Sequence, residues 1–158
     1  MKLETPPKND RTPDGELEEG GIHDLLGYQL AQATIVTTSA FDRAVGKPLA
    51  LRPVEFTMLQ LIRENAPVTA TKVAQALAVT VPGVTMWLDR LEQRGLVERK
   101  RSEADKRVQN LSVTPEGLAL VSSALTQLLE ADQVILQRLS RGERHLLIDL
   151  LHKVASAR

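Results

Sequence analysis

The sequence predicts a single folded unit that is mostly α-helical with a small β-hairpin, an α+β fold. Apolar residues make up 42% of the 158-residue chain and aromatic residues only 3%, so aliphatic side chains must fill the core, which suits packed helices. Apolar residues recur at spacings of three and four along much of the chain, the period of a buried helix face. Residues 96–101 and 108–113 instead have β-type content and flank a polar stretch, as the strands of a hairpin do.

The first 21 residues differ in composition from the rest of the chain. They hold six acidic and three basic residues among Pro and Gly, with almost no large apolar side chain. Such a segment cannot offset the entropy that is lost on ordering. We therefore predict a disordered tail over residues 1–21 and one domain over residues 22–158.

The domain begins with two helices. The first is predicted between Ile22 and Val45, where small or apolar residues share one face, and residues 46–48 end it. The second helix begins after Pro53 and stops near Asn65, just before the next proline.

Two shorter helices follow, separated by a tight turn. Thr69 is a suitable N-cap for the third helix, and residues 78–79 form the turn. Thr80 can cap the fourth helix with Pro82 in its first turn, where a missing backbone donor costs nothing. Gly95 ends this helix.

The hairpin is followed by two apolar-striped helices. Thr114 and Pro115 start a long helix after the second strand. Ser140 and Glu143 have the spacing of a capping box, which starts a last helix whose leucine-rich stripe reaches Val154.

A helix, a tight turn, a helix and a basic hairpin follow one another in the order of a winged helix-turn-helix. The second helix of such a pair fits the major groove of duplex DNA, and cations on the hairpin can reach phosphates or the minor groove. The chain has 20 basic and 20 acidic residues, so its net charge says nothing about nucleic acid. Residues 94–107, however, hold six basic residues against three acidic ones, a local excess of three positive charges.

Two runs in this region resemble the MarR family of transcriptional regulators. The run LAVTVPGVTMWLDRLEQRGLVER, residues 77–99, resembles the recognition helix and first wing strand of that family. The run SEADKRVQNLSVTPEG, residues 102–117, is similar to its wing, with an acidic residue, a basic pair, a strand and a Thr-x-x-Gly helix start. The resemblance implies a winged helix-turn-helix DNA-binding lobe over residues 53–113 plus a helical dimerisation region formed by residues 22–48 and 115–158.

The resemblance also implies which residues contact DNA. Arg107 would enter the minor groove, and Asp105 would orient it through a salt bridge. Since few of the groups that face the major groove can hydrogen-bond to base edges, readout is expected to rest on thymine methyl groups and DNA shape besides Thr85 and Arg90. The strand cations have a second interpretation, a solvated edge that discourages aggregation. The full set of predicted DNA contacts is Thr80, Pro82, Gly83, Thr85, Met86, Arg90, Arg99, Arg101, Lys106 and Arg107.

As a member of this family, the chain would be a homodimer that binds a double-stranded DNA operator and is released from it by a small-molecule effector, for which the resemblance implies an aromatic or acidic compound. Two-fold symmetry would place the half-sites of a pseudo-palindrome about 10 base pairs apart. No cofactor is expected. The expected effector contacts are Tyr28, Phe41, Arg52 and Met58. The alternative is a winged-helix protein-interaction module with lost or weak DNA binding.

Other classes of function find little support in the sequence. The chain has no cysteine, no Gly-rich phosphate loop and no HExxH or GxSxG motif, so an enzyme is not expected. No signal peptide or membrane span is apparent, so a cytoplasmic location is expected. His145, Asp149 and His152 share one helix face and could hold a metal, but that face lies opposite the leucine stripe and most simply faces solvent. Trp87 is read as a packing residue.

Overall fold

The structure, a computed structural model, describes residues 11–157 and forms two compact units, divided between Ser39 and Ala40. Within the described residues the helices are α1 (Leu26–Phe41), α2 (Pro53–Asn65), α3 (Ala70–Leu77), α4 (Val81–Gln93), α5 (Pro115–Ile135) and α6 (Arg141–Ala155), and the strands are β1 (Val97–Arg101) and β2 (Gln109–Val113). The predicted fold class, mostly helical with one small hairpin, is confirmed.

The first unit contains part of the predicted tail and most of α1. Residues 1–10 lie outside the described residues, whereas Arg11 pairs with Glu18 across a short turn and a 3₁₀ turn covers Gly20–Ile22. The first helix starts at Leu26 rather than at Ile22, and after Phe41 it continues as a π-helical turn, Asp42–Gly46.

The core of the second unit lies between α2, α4, α5 and the hairpin. Its fully buried aliphatic side chains come from every one of these elements, as their helical and strand spacing predicts. Trp87 is half-buried and packs against this core, so its interpretation as a packing residue is confirmed. The largest buried side chains are Met58, Leu59, Ile62, Leu88, Leu91 and Leu111.

The boundaries of α3 and α4 follow from local capping, as predicted. The hydroxyl of Thr69 accepts a hydrogen bond from the backbone N–H of Lys72, and that of Thr80 accepts one from Gly83. Between them Ala78 takes a left-handed conformation with φ of 54°, which closes the tight turn. These caps decide where α4 begins and therefore which of its residues face the core.

The hairpin, residues 97–113, is called the wing below. Its strands are antiparallel, with Val97 opposite Val113 and Arg101 opposite Gln109, and each begins one residue later than predicted. Leu111 also pairs with Val68, through N–H to carbonyl distances of 2.8 and 3.4 Å, which attaches the wing to the segment between α2 and α3.

Helix α5 starts in close contact with the base of the wing. Thr114 caps it by accepting from the Gly117 N–H at 3.0 Å, while its own hydroxyl donates to the Gly95 carbonyl at 2.6 Å. A Cβ atom on Gly117 would overlap the backbone carbonyl of Leu96 and lie 2.6 Å from a methyl of Val113. Only glycine fits at this position, which explains the Thr-x-x-Gly pattern.

Helix α6 begins with the predicted capping box, in which Ser140 and Glu143 exchange hydrogen bonds of 2.7 and 3.3 Å. The hydrogen bonds from Ser140 hold the pKa of Glu143 below its usual value. None of the residues in α6 is buried. Its exposed apolar side chains are Leu146, Leu147, Ile148, Leu150, Leu151 and Val154.

Candidate nucleic-acid interface

The exposed side of α4 is apolar near the beginning of the helix. Val84, Leu88 and Leu91 face the core, and Met86 lies on the opposite side with 55% of its surface exposed. Val81, the first residue of the helix, is 40% exposed. Pro82 is exposed as well, and Gly83 is half-buried. The exposed start of this helix therefore offers methyl and methylene groups.

The polar groups of the first turns of α4 are used within the helix. The Thr80 hydroxyl is the helix cap, and the Thr85 hydroxyl donates to the Val81 carbonyl at 3.0 Å. A hydroxyl that donates to its own helix keeps only acceptor capacity for a base edge. Thr85 and Arg90 were the two groups expected to hydrogen-bond to bases. The Thr85 hydroxyl already donates within its own helix, so it can only accept a hydrogen bond from a base.

Two predicted cations form ion pairs inside the chain. The Arg90 Nε atom lies 3.1 Å from the Glu55 Oε1 atom, and the Glu55 side chain is only 1% exposed. Arg99 pairs with Asp89 and lies 3.5 Å from the Glu92 carboxylate, so it joins β1 to α4. Neither ion pair was apparent from the sequence, because the acidic partners lie on other elements.

Three other predicted cations are exposed and have no partner among residues 11–157. Arg101 lies at the end of β1, and Lys106 and Arg107 lie in the loop that joins the strands. No ion pair or hydrogen bond within the described part of the chain involves their side-chain nitrogens. These three cations, called the wing cations below, are free to bind phosphates.

Asp105 shapes the loop through the backbone. Its carboxylate accepts the Arg107 backbone N–H at 2.9 Å, and its carbonyl accepts the Val108 N–H at 2.9 Å. No ion pair joins the side chains of Asp105 and Arg107 in the described residues, in contrast to the expected salt bridge. An aspartate that bonds to the N–H two residues later stabilises a turn, and it leaves the guanidinium in solvent.

The charge of Lys100, in the middle of the wing, is neutralised by a carboxylate on the same strand. Lys100 pairs with Glu98 at 2.7 Å, and the Ser112 hydroxyl donates to the same carboxylate at 3.0 Å. The Lys100 ammonium and then the Ser112 hydroxyl hold the pKa of Glu98 below its usual value. The cations of the wing that remain without an ion pair in the described residues are therefore those at its far end, where residues 101–107 hold three basic and two acidic side chains.

The four expected effector contacts differ in how accessible they are. Met58 is fully buried, and Phe41 is 9% exposed and packs edge-on against Phe56 with ring centroids 6.3 Å apart. Arg52 is exposed at the N-cap of α2. In the first unit, the Tyr28 hydroxyl donates to the Glu19 carboxylate at 2.8 Å, and this hydrogen bond raises the pKa of Tyr28.

A cleft of about 300 Å³ lies beside the end of α2 and the start of α3. It is lined by none of the four expected contacts, and its walls combine apolar side chains with polar groups. The residues around it include Leu61, Asn65, Pro67, Val68, Lys72 and Val73.

The polar face of α6 was the candidate metal site in the sequence, although no metal was expected there. His145 hydrogen-bonds to the Arg141 carbonyl through Nδ1 at 2.7 Å, and Asp149 and His152 are exposed. Residues 11–157 contain no group of three or more His, Cys, Asp or Glu side chains placed to hold a metal ion. Within the same residues, no helix is both long and apolar enough to cross a membrane.

Comparison with known proteins places this geometry in a family. The MarR family model matches residues 51–108, the segment from the start of α2 to the wing loop. A putative transcriptional regulatory protein for the hcr operon of Thauera aromatica is 30% identical over 139 residues, which cover 88% of this chain and 84% of that protein. The HTH-type transcriptional regulator PecS of Dickeya dadantii is 31% identical over 128 residues, 79% of this chain and 76% of that protein.

The fold is shared with a solved complex. The transcriptional repressor CouR, bound to a 23-mer DNA duplex, is 31% identical and superimposes with a TM-score of 0.82 over 89% of this chain and 99% of that one. These relatives are transcriptional regulators and not enzymes. The capped α3–α4 pair, the wing and these matches together show that the chain belongs to the MarR family of transcriptional regulators.

Proposed function

We propose that this protein is a ligand-responsive repressor that binds a pseudo-palindromic DNA operator as a homodimer. The observation that carries the proposal is the set of wing cations, Arg101, Lys106 and Arg107, which are exposed and form no ion pair with any described residue, beside a helix whose opposite face is buried. A protein that places exposed cations on a hairpin next to the exposed side of a helix has the two parts that duplex binding needs. The likeness to CouR, whose structure contains a DNA duplex, supports the same conclusion.

The two parts have different tasks in this proposal. The wing cations bind phosphates or enter the minor groove and supply most of the affinity. The exposed start of α4, with Val81, Pro82 and Met86, contacts thymine methyl groups in the major groove and supplies specificity. Arg99 holds the wing against α4 through Asp89, so the two parts bind as one surface.

The proposal predicts salt-dependent binding to duplex DNA. A duplex selected by the protein from a random-sequence library should lose at least about 1,000-fold in affinity between about 50 and about 200 mM salt, as measured by fluorescence anisotropy. Replacing the thymines of each selected half-site by uracil should weaken binding about four-fold for each methyl contact that is lost. Weak binding that is independent of salt would instead favour the alternative, a winged-helix module that contacts another protein.

The exposed leucines of α6 support a homodimer. Six large apolar side chains on one 15-residue helix are between 38% and 60% exposed. A monomer rarely leaves so large an apolar surface in contact with water. We propose that residues 22–48 and 115–158 form the dimer interface, which would place two wings on one duplex.

The dimer can be tested on α6. The double substitution Leu147→Asp/Leu150→Asp should raise the dimer dissociation constant by at least about 100-fold, because two-fold symmetry repeats each buried charge. Sedimentation velocity over a dilution series measures this, and His145→Asp on the polar side of the same helix is the matched control. Equal dissociation constants for the two variants would remove α6 from the interface.

We propose that a small aromatic or acidic effector releases the operator. Of the four expected contacts, Arg52 and Tyr28 have accessible surface, and the exposed Arg52 guanidinium could bind a carboxylate. The buried Met58 and Phe41 could reach a ligand only after the core opens. A thermal-shift screen of aromatic carboxylates on the wild type and Arg52→Ala tests this assignment, and identical shifts would exclude Arg52.

A further inference from the structure

The end of α4 carries Arg90 in its last turn and Arg94 as its C-cap residue, and both side chains reach residues 49–55, before and at the start of α2. The Arg90 Nε atom lies 3.1 Å from the Glu55 carboxylate. One turn later, the Arg94 guanidinium donates to the backbone carbonyls of Ala50 and Leu49, at 2.8 and 2.9 Å. Both cations at this end of the helix thus contact residues 49–55.

Glu55 is the buried partner that gives Arg90 its position. Its Oε2 atom accepts the Arg52 backbone N–H at 2.9 Å as part of the α2 capping box. Its Oε1 atom is buried and accepts no hydrogen bond from residues 11–157, so the ion pair with Arg90 compensates for the loss of water around it. A buried carboxylate that loses its cation is strongly disfavoured, so the carboxylate holds the guanidinium in place.

Arg94 holds the same segment by a different contact. Ala50 has a left-handed backbone conformation with φ of 47°, and its carbonyl and that of Leu49 point at one guanidinium. The planar fork of arginine donates to both oxygens at once, which lysine could not do in the same geometry. Two independent contacts, one turn apart on α4, therefore fix this helix relative to the start of α2.

We propose that Arg90 and Arg94 are positioning residues for DNA recognition, which act through Glu55 and the carbonyls of residues 49–50 and not by contact with DNA. This inference rests on the proposed function, since it concerns how α4 is presented to the duplex. It differs from the expectation that Arg90 reads a base in the major groove. Glu55 is the informative residue, because a side chain that is 1% exposed cannot touch DNA.

The test compares Glu55→Gln, Arg90→Met and the double variant on a labelled duplex selected by the wild type and on a scrambled duplex of the same composition. Both single variants should lose about ten-fold in affinity for the selected duplex, and the double variant should lose no more than either, because one interaction is removed in all three. The salt slope and the affinity for the scrambled duplex should equal those of the wild type, since no phosphate contact is lost. Arg94→Met should show the same pattern through its separate contact.

The controls separate this inference from other outcomes. Arg101→Met removes a wing cation that has no partner in the described part of the chain, and it should lower the salt slope, which shows that the assay detects a lost phosphate contact. A lower slope for Arg90→Met together with wild-type affinity for Glu55→Gln would overturn the inference and make Arg90 a direct contact. The inference would also be overturned if these substitutions lowered the free energy of unfolding but left the affinity for the selected duplex at the wild-type value. A wild type that binds no duplex would contradict the proposed function itself.

Discussion

The triple variant Arg101→Ala/Lys106→Ala/Arg107→Ala is expected to bind its selected duplex at least about 1,000-fold more weakly than the wild type. Each position occurs twice in a dimer, so each substitution removes two phosphate contacts and about 1.8 from the salt slope, which is about 30-fold in affinity at about 0.15 M salt. The wing cations have no partner within the described residues. Their removal therefore leaves no buried charge behind, and the fold should be unaffected.

Fluorescence anisotropy at several salt concentrations measures both the affinity and the slope for this variant. Arg138→Ala is the matched control, because Arg138 is an exposed cation in the 3₁₀ turn after α5. It should retain wild-type affinity and slope. A triple variant that behaves like this control would exclude the wing from DNA binding and leave α4 as the whole interface.

Gly117→Ala is expected to destabilise the protein by about 3 kcal/mol, a large effect for the addition of one methyl group. The new Cβ would overlap the Leu96 carbonyl and press on Val113 at 2.6 Å. The carbonyl belongs to the backbone at the base of the wing and cannot rotate away as a side chain could. Relief of the overlap requires α5 and the wing to separate.

Urea denaturation at one fixed protein concentration measures this free energy of unfolding, since the stability of a dimer depends on concentration. Gly142→Ala in the first turn of α6 is the control, because a Cβ there meets nothing within 4 Å. That substitution should be neutral or stabilising by up to about 1 kcal/mol. Equal stabilities for the two variants would show that α5 and the wing do not approach as closely as the structure indicates.

Element boundaries were predictable wherever a local signal decides them. Thr69, Thr80 and Ser140 each bond to a backbone N–H within three residues, so the sequence neighbourhood contains the whole interaction. The end of α1 was less predictable. Gly46 was expected to stop a regular helix, but the chain passes through a π-helical turn that packs against α5, which is a tertiary contact.

The effector contacts show the limit of residue type as a guide. Met58 and Phe41 were expected at a ligand from the resemblance to the family, and Phe41 also as one of the few rings in the chain, but their large apolar side chains lie in the core. Arg52 differs because a cation at a helix N-cap stays in solvent. Only the packing of α2 distinguishes a buried apolar residue from one that lines a cavity.

The sequence alone determined the order of the elements, the helix caps and the presence of a basic hairpin after a helix-turn-helix, because these depend on interactions between residues that are close in the chain. It did not determine which cations are free. Arg90, Arg99 and Arg107 look equivalent as predicted DNA contacts, yet the first two form ion pairs with Glu55 and Asp89 and the third stays exposed. The tertiary structure made that choice, because an ion pair depends on distance in space and the acidic partners lie on α2 and α4.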